Sequence, residues 1–132
     1  RLGGALRRIY REGSFDTTAW GRGELDLTDL KAIPERLDRA AFDVVINAAG
    51  STSVDGCETR REEAFLTNTA APGVIAAYCA AQGRRLIHIS SDYVFAGTRD
   101  GLCRETDPTE PCNYYGQTKL EGEHAVLAAD PN

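Results

Sequence analysis

The sequence predicts an α/β fold, a doubly wound parallel sheet with helices on both of its faces. Two apolar runs rich in β-branched residues, "FDVVINAAG" (42–50) and "RRLIHISS" (84–91), are typical of strands buried on both faces. Segments with helical spacing of apolar residues alternate with these strands, which favours parallel pairing. Polar stretches follow both strands, at the sheet edge where such folds bind ligands.

The composition is typical of a soluble globular protein that does not bind nucleic acid. The chain has 132 residues, of which 42% are hydrophobic and 27% charged, as in one soluble globular domain or a piece of one. A net charge of -5 disfavours a nucleic-acid partner, because phosphate binding needs a basic stripe. The run "APGVIAAYCAA" is too short to span a bilayer and no signal peptide precedes it, so we expect no membrane association and a cytoplasmic location.

Cysteine and histidine spacing predicts no metal site. The four cysteines contain no C-x-x-C pair or other ligand spacing, so reduced thiols without a special role are expected. His88 and His124 lie far apart in the sequence, and we assign neither a role.

The first part of the chain predicts two helices and a strand. Apolar residues at helical spacing mark a helix in residues 2–13, entered from a glycine-rich turn and closed by Gly13. "FDTTAW" (15–20) is predicted to be a short strand. A second helix follows, with Thr28 or Asp29 as its N-cap.

Longer helices are predicted after each buried strand. Residues 58–82 have a helical pattern that Pro72 bends or divides in two. A loop rich in Gly, Thr, Asp and Pro covers about residues 96–112, and the last helix spans about residues 113–129.

The last helix contains a pair of residues suited to proton transfer. Tyr115 and Lys119 lie one turn apart, with about 5–6 Å between Cβ atoms at this spacing. An ammonium beside a phenol favours the phenolate and lowers a pKa that is about 10 in isolation. Such a group can act as a general acid or base for a carbonyl and alcohol interconversion. Ser91, at a strand end, could donate a hydrogen bond to the carbonyl oxygen. The spacing alone also fits an amphipathic helix with a surface lysine.

Three stretches together resemble a known family. "NAAGSTSVD", "ISSDYVFAGT" and "ETDPTEPCNYYGQTKLEGE" are similar to successive blocks of the extended short-chain dehydrogenase/reductases, most closely the dTDP-4-dehydrorhamnose reductase branch. The resemblance runs from Leu2 to about Ala129. It implies a Rossmann-like NAD(P)-binding fold whose first strand would lie upstream and whose substrate-binding region would lie downstream. We therefore expect an N- and C-terminally truncated, internal piece of a longer protein that is inactive alone.

The resemblance assigns roles around the sheet edge. Tyr115 resembles the family's proton donor, and Lys119 the residue that lowers its pKa and holds the nicotinamide ribose. Ser91 matches the hydroxyl that polarises the substrate carbonyl, and Asp92 is expected beside the sugar. Asn68 matches a helix residue that helps to order the site, although it could also simply cap buried backbone.

The resemblance also implies a cofactor. Where NAD-dependent relatives carry an acid for the adenosine ribose, this chain has Gly21 followed by Arg22. A guanidinium can pair with a 2′-phosphate, which favours NADPH, with NADH as the alternative. Arg22 could equally be a solvated loop residue. The remaining cofactor-contacting positions implied by the resemblance are Leu2, Gly3, Asp26, Leu27, Gly50, Ser51 and Thr52.

The function implied is reduction of the 4-keto group of a nucleotide-linked deoxysugar by NADPH. The substrate expected by resemblance is dTDP-4-dehydro-L-rhamnose, in dTDP-rhamnose and cell-envelope polysaccharide synthesis, and a homodimer would form through regions outside this chain. Two alternatives remain. A nucleotide-sugar epimerase, or another sugar-nucleotide reductase, would share these blocks. A non-catalytic NADP-binding regulatory subunit is disfavoured because it would not need Ser91, Tyr115 and Lys119 together.

Overall fold

The computed structural model describes residues 2–13, 15–98 and 101–130. Its elements, in chain order, are α1 (Leu2–Glu12), α2 (Ala32–Asp38), β1 (Val44–Asn47), α3 (Val54–Thr59), α4 (Arg61–Phe65), a π-helical turn (Leu66–Ala70), α5 (Ala71–Ala81), β2 (Arg85–His88), a 3-10 turn (Asp92–Val94) and α6 (Tyr114–Ala129).

The two strands pair in parallel, as the sequence predicts. Val44 lies opposite Arg85 and Asn47 opposite His88. The chain between them passes through three α-helices and the π-helical turn, which form the crossover that parallel pairing requires. Both strands therefore end at the same edge of the sheet, and the polar segments after β1 and β2 become neighbours.

The main hydrophobic core lies between α2, α5 and one face of the sheet. Its apolar side chains include Val45 from β1 and Leu86 from β2, packed against residues of both helices. The fully buried members are Ile33, Leu37, Ala71, Ile75 and Cys79.

The prediction that both strands are buried on both faces is wrong for this chain. Val44 is 42% exposed and Ile87 49% exposed, on the face opposite Val45 and Leu86. Helices α2 and α5 cover the face that carries Val45 and Leu86. Within the described ranges the sheet has only two strands, so the full doubly wound sheet is not present.

The predicted strand "FDTTAW" does not form. Residues 15–20 have no regular secondary structure. A strand needs a hydrogen-bonding neighbour, and β1 and β2 pair only with each other in the part of the chain described. Local β propensity is therefore insufficient in this segment.

Pro72 divides the long crossover helix, as predicted, although the helical region begins earlier, at Val54. Pro72 lies in the first turn of α5 and has no N–H to offer the carbonyl of Asn68 in the α-helical pattern. The backbone widens into the π-helical turn over Leu66–Ala70, directly before this position. A further break at Arg60 separates α3 from α4.

The bounds of α1 and α6 agree with the sequence prediction, whereas α2 begins late. Lys31 occupies the N-cap position of α2 without a side-chain bond. The Asp29 carboxylate accepts from the N–H groups of Lys31 and Ala32, at 3.2 and 3.3 Å. Asp29 therefore stabilises the helix start from the preceding turn rather than as its N-cap, and Thr28 does not cap it.

The helical run Arg61–Ala81 is long and apolar enough, by length and composition, to cross a bilayer. Half of its most apolar window is buried inside the chain. Ile75 and Cys79 belong to the core shared with α2. These contacts favour a core helix of a folded domain.

Candidate active site

The turn after β1 is held by the side chain of Asn68. The Asn68 Oδ1 accepts from the Ser51 N–H at 2.8 Å, and its Nδ2 donates to the Ser51 carbonyl at 3.0 Å. Asn68 projects from the π-helical turn and is only 1% exposed. A buried amide with its hydrogen bonds satisfied fixes the backbone at Ser51. Gly50 and Thr52 flank this fixed point.

The same Asn68 side chain also binds α6. Its Nδ2 donates to the Thr118 Oγ1 at 3.1 Å, and the Thr69 hydroxyl donates to the Thr118 carbonyl at 2.8 Å. Thr118 is fully buried, and its own hydroxyl donates to the Tyr115 carbonyl at 2.9 Å. One buried amide thus links the turn after β1 to the helix that carries the predicted catalytic pair.

Helix α6 begins at a capped turn that fixes the position of Tyr115. The Asn113 carboxamide oxygen accepts from the Gly116 N–H at 2.8 Å, the arrangement expected of an asparagine N-cap. Tyr115 and Lys119 follow within the first two turns and are 9% and 4% exposed. The alternative of a surface lysine on this helix is therefore wrong.

The amine of Lys119 points to the end of β2. Its Nζ donates to the Ile89 carbonyl at 2.6 Å, two residues before Ser91. Burial lowers the pKa of Lys119, and the nearby Glu123 carboxylate partly opposes this shift.

Ser91 lies in the segment of residues 89–93, whose two ends contact Lys119 and Tyr115. Its hydroxyl donates to the Asp92 carboxylate at 3.2 Å and accepts from the Tyr93 N–H at 3.2 Å. The Tyr93 ring packs edge-to-face on the Tyr115 ring, with centroids 5.4 Å apart. Lys119 and Tyr115 thus contact residues two positions before and two positions after Ser91. The structure therefore brings Ser91, Tyr115 and Lys119 to one edge of the sheet. The roles of these residues remain predictions.

Two pairs of polar side chains to which the sequence analysis assigned no role also lie at this edge. The Ser90 hydroxyl donates to a carboxylate oxygen of Glu123. The sequence could have indicated that Glu123 lies at this site, because it follows Lys119 by four residues on the same helix face. The Nδ1 of His88 lies 3.2 Å from the Asn47 amide nitrogen. Burial, followed by the charge of Lys119, lowers the pKa of His88 to about 4, so the imidazole is neutral at pH 7.

The start of α1 lies against the turn after β1. In dinucleotide-binding folds in general, the pyrophosphate binds at the N-terminus of the first helix. A Cβ built on Gly3 would lie 3.9 Å from the Ala48 Cβ, and Leu2 is 47% exposed. The first turn of α1 contains no acidic residue, so its N–H groups could face an anion without carboxylate repulsion. These described residues fit the pyrophosphate side of a nicotinamide dinucleotide.

The residues predicted to contact the adenosine each contact another residue of this chain. The Arg22 guanidinium pairs with the Glu63 carboxylate at 2.7 Å. The Asp26 carboxylate accepts from both the N–H and the hydroxyl of Thr28, at 2.9 and 2.8 Å. Leu27 is half-buried and packs against the main core. Asp26 and Leu27 thus have structural partners, and Arg22 lies in an exposed turn with an ion pair to Glu63.

Comparisons with curated proteins find dTDP-4-dehydrorhamnose reductases and a probable reductase of glycan biosynthesis. The chain is 45% identical to a probable low-salt glycan biosynthesis reductase of Haloferax volcanii, over 83% of this chain and 36% of that protein. It is 48% identical to a dTDP-4-dehydrorhamnose reductase of Mycolicibacterium smegmatis, over 83% of this chain and 33% of the relative. The chain therefore spans about a third of the length of these curated relatives.

Solved structures agree in fold. A dTDP-4-dehydrorhamnose reductase from Clostridium acetobutylicum matches with a TM-score of 0.93 and 33% identity, over 98% of this chain and 46% of that one. The enzyme of the same name from Bacillus anthracis, solved with NADP, matches with a TM-score of 0.85 and 27% identity, over 93% of this chain and 45% of that one. The profile of the RmlD substrate-binding domain matches residues 1–132. The chain belongs to the RmlD substrate-binding domain family.

Proposed function

We propose that this chain forms the cofactor-binding and catalytic part of an NADPH-dependent reductase of nucleotide-linked 4-keto sugars. The observation that carries the proposal is the buried Lys119 beside Tyr115, with both side chains contacting the segment that contains Ser91. A buried ammonium and a phenol at the edge of a parallel sheet suit proton transfer to a developing alkoxide.

The nicotinamide would supply the hydride that reduces the 4-keto carbon. The Tyr115 phenol would donate its proton to the carbonyl oxygen as negative charge develops there. The Ser91 hydroxyl would donate a hydrogen bond to the same oxygen, which stabilises the negative charge of the transition state. The Lys119 ammonium, held by the Ile89 carbonyl, would stabilise the phenolate that remains.

The Rossmann-like, doubly wound architecture of the whole protein belongs to the same proposal. The parallel pairing of β1 with β2 supports it, as does the TM-score of 0.93 to a dTDP-4-dehydrorhamnose reductase of which this chain covers 46%. NADPH is supported by the NADP complex of the Bacillus anthracis enzyme. The substrate proposed is dTDP-4-dehydro-L-rhamnose, supported by the names of several relatives.

The proposal is tested with Tyr115→Phe in the full-length protein that contains this chain. Tyr114→Phe is the matched control, because Tyr114 is adjacent on α6 but packs under the Arg61 guanidinium, 4.6 Å from its ring centroid. NADPH oxidation with the 4-keto sugar nucleotide should fall by about 100- to 10,000-fold for Tyr115→Phe, the usual contribution of general acid catalysis. NADPH affinity, measured by fluorescence titration, should stay nearly unchanged.

The control Tyr114→Phe should keep most of the wild-type rate. If Tyr115→Phe reduces the substrate as fast as Tyr114→Phe does, Tyr115 is not the proton donor and the proposed mechanism is wrong.

A further inference from the structure

We propose that Glu63 determines how strongly this site discriminates between NADPH and NADH. Its carboxylate forms an ion pair with the Arg22 guanidinium, the group that a 2′-phosphate would bind. The inference rests on the proposed function, since it concerns the cofactor of that site. It adds a residue to which neither the sequence analysis nor the family resemblance assigned a role.

The ion pair between Arg22 and Glu63 is short and joins segments that are distant in the sequence. Arg22 Nη2 lies 2.7 Å from Glu63 Oε1, across 41 residues of sequence. The other oxygen of Glu63 lies 3.2 Å from the Arg60 Nε. One carboxylate therefore binds two guanidinium groups. The hydrogen bond from Arg22 holds the pKa of Glu63 below its usual range, and the bond to Glu63 raises the pKa of Arg22.

The groove around the pair is predominantly acidic. Arg22 faces the carboxylates of Asp26, Glu62 and Glu63 along the lining of one shallow groove, with Thr28 completing its polar wall. A 2′-phosphate carries up to two negative charges, so it must compete with Glu63 for the Arg22 guanidinium and approach three carboxylates. A ribose 2′-hydroxyl is neutral and meets neither obstacle.

The pair is also exposed, which makes displacement feasible. The side chains of Arg22 and Glu63 are 67% and 34% exposed. Exposed ion pairs are weak and are screened by salt, so Glu63 should weaken phosphate binding without abolishing it. We therefore infer a site that accepts both cofactors and whose preference for NADPH is reduced by Glu63.

The test compares 2′,5′-ADP with 5′-AMP, which differ by the 2′-phosphate alone, by isothermal titration of the full-length protein. Glu63→Gln should bind 2′,5′-ADP about five-fold more tightly than wild type, the upper range for release of an exposed pair, with the affinity for 5′-AMP unchanged. The gain should shrink at high ionic strength. In the Arg22→Ala background Glu63→Gln should give no more gain than Glu62→Gln gives, because the guanidinium to be released is absent.

Glu62→Gln is the matched control, since it removes one carboxylate from the same groove and has no contact with Arg22 among the described hydrogen bonds and ion pairs. A smaller gain for Glu62→Gln than for Glu63→Gln supports the inference. Equal gains, or no gain for Glu63→Gln, would overturn the inference, while binding of 5′-AMP by wild type would leave the proposed nucleotide site standing. Failure of wild type to bind either nucleotide would overturn both.

Discussion

Gly122 of α6 lies so close to the π-helical turn that a single methyl group should displace the helix. A Cβ built on Gly122 would lie 2.2 Å from the Asn68 carbonyl oxygen. An ordinary carbon to oxygen contact is about 3.3 Å, so Gly122→Ala requires a separation of about 1 Å between α6 and the turn. The obstacle is backbone, which cannot rotate away as a side chain could.

The displacement should affect the site more than the stability. Overpacking costs about 1–3 kcal/mol. Alanine recovers about 1 kcal/mol of helix propensity relative to glycine, so the free energy of unfolding should fall by about 0–2 kcal/mol. Helix α6 carries Tyr115 and Lys119, whereas Asn68 fixes the turn at Ser51. A misplacement of about 1 Å between these groups should lower kcat about 100-fold.

The assay is NADPH oxidation under saturating conditions by the full-length protein, together with urea unfolding. Gly73→Ala is the control at the interface of α5 and α6. Its added methyl would lie 3.1 Å from the Ala125 Cβ, a side-chain contact that a shift of a few tenths of an ångström relieves. We expect little change in kcat for Gly73→Ala. A Gly122→Ala enzyme with wild-type kcat would refute the argument that this contact sets the site geometry.

Two further predictions concern pH. The folded pKa of His88, about 4, lies below its ordinary value of 6.5, so the unfolded chain binds the extra proton first and stability should fall as pH drops from about 6.5 to about 4. His88→Gln should flatten that part of the curve of unfolding free energy against pH, and an unchanged slope would exclude His88 as its source. Glu123→Gln removes the charge that raises the pKa of Lys119, so the alkaline limb of the pH profile of kcat should move to lower pH. A profile identical to wild type would show that Glu123 does not act on Lys119.

Patterns of nearby residues in the sequence predicted those helices and strands whose formation depends on residues close in the sequence. The β-branched runs gave both strands, and helical periodicity gave α1 and α6 with nearly correct bounds. The four-residue spacing of Tyr115 and Lys119 placed both on one helix face because 3.6 residues form a turn. Pro72 divided its helix for a reason visible in the sequence, the missing N–H.

Features that depend on distant contacts were not predictable in the same way. The Asn68 bond to Thr118 joins residues 50 apart, and the Arg22 pair with Glu63 joins residues 41 apart. "FDTTAW" has strand-like composition but no partner strand among the described residues. Its failure to form a strand depends on what surrounds it rather than on its own sequence.

The central claim is that the Ser91 hydroxyl and the Tyr115 phenol converge on one substrate oxygen, with the Lys119 amine behind them. The most direct test is a crystal structure of the full-length protein with NADP and a nucleotide-linked sugar. The account predicts that the sugar O4 lies within hydrogen-bond distance, about 2.6–3.2 Å, of both the Ser91 Oγ and the Tyr115 Oη. A bound sugar whose O4 contacts neither hydroxyl would contradict it.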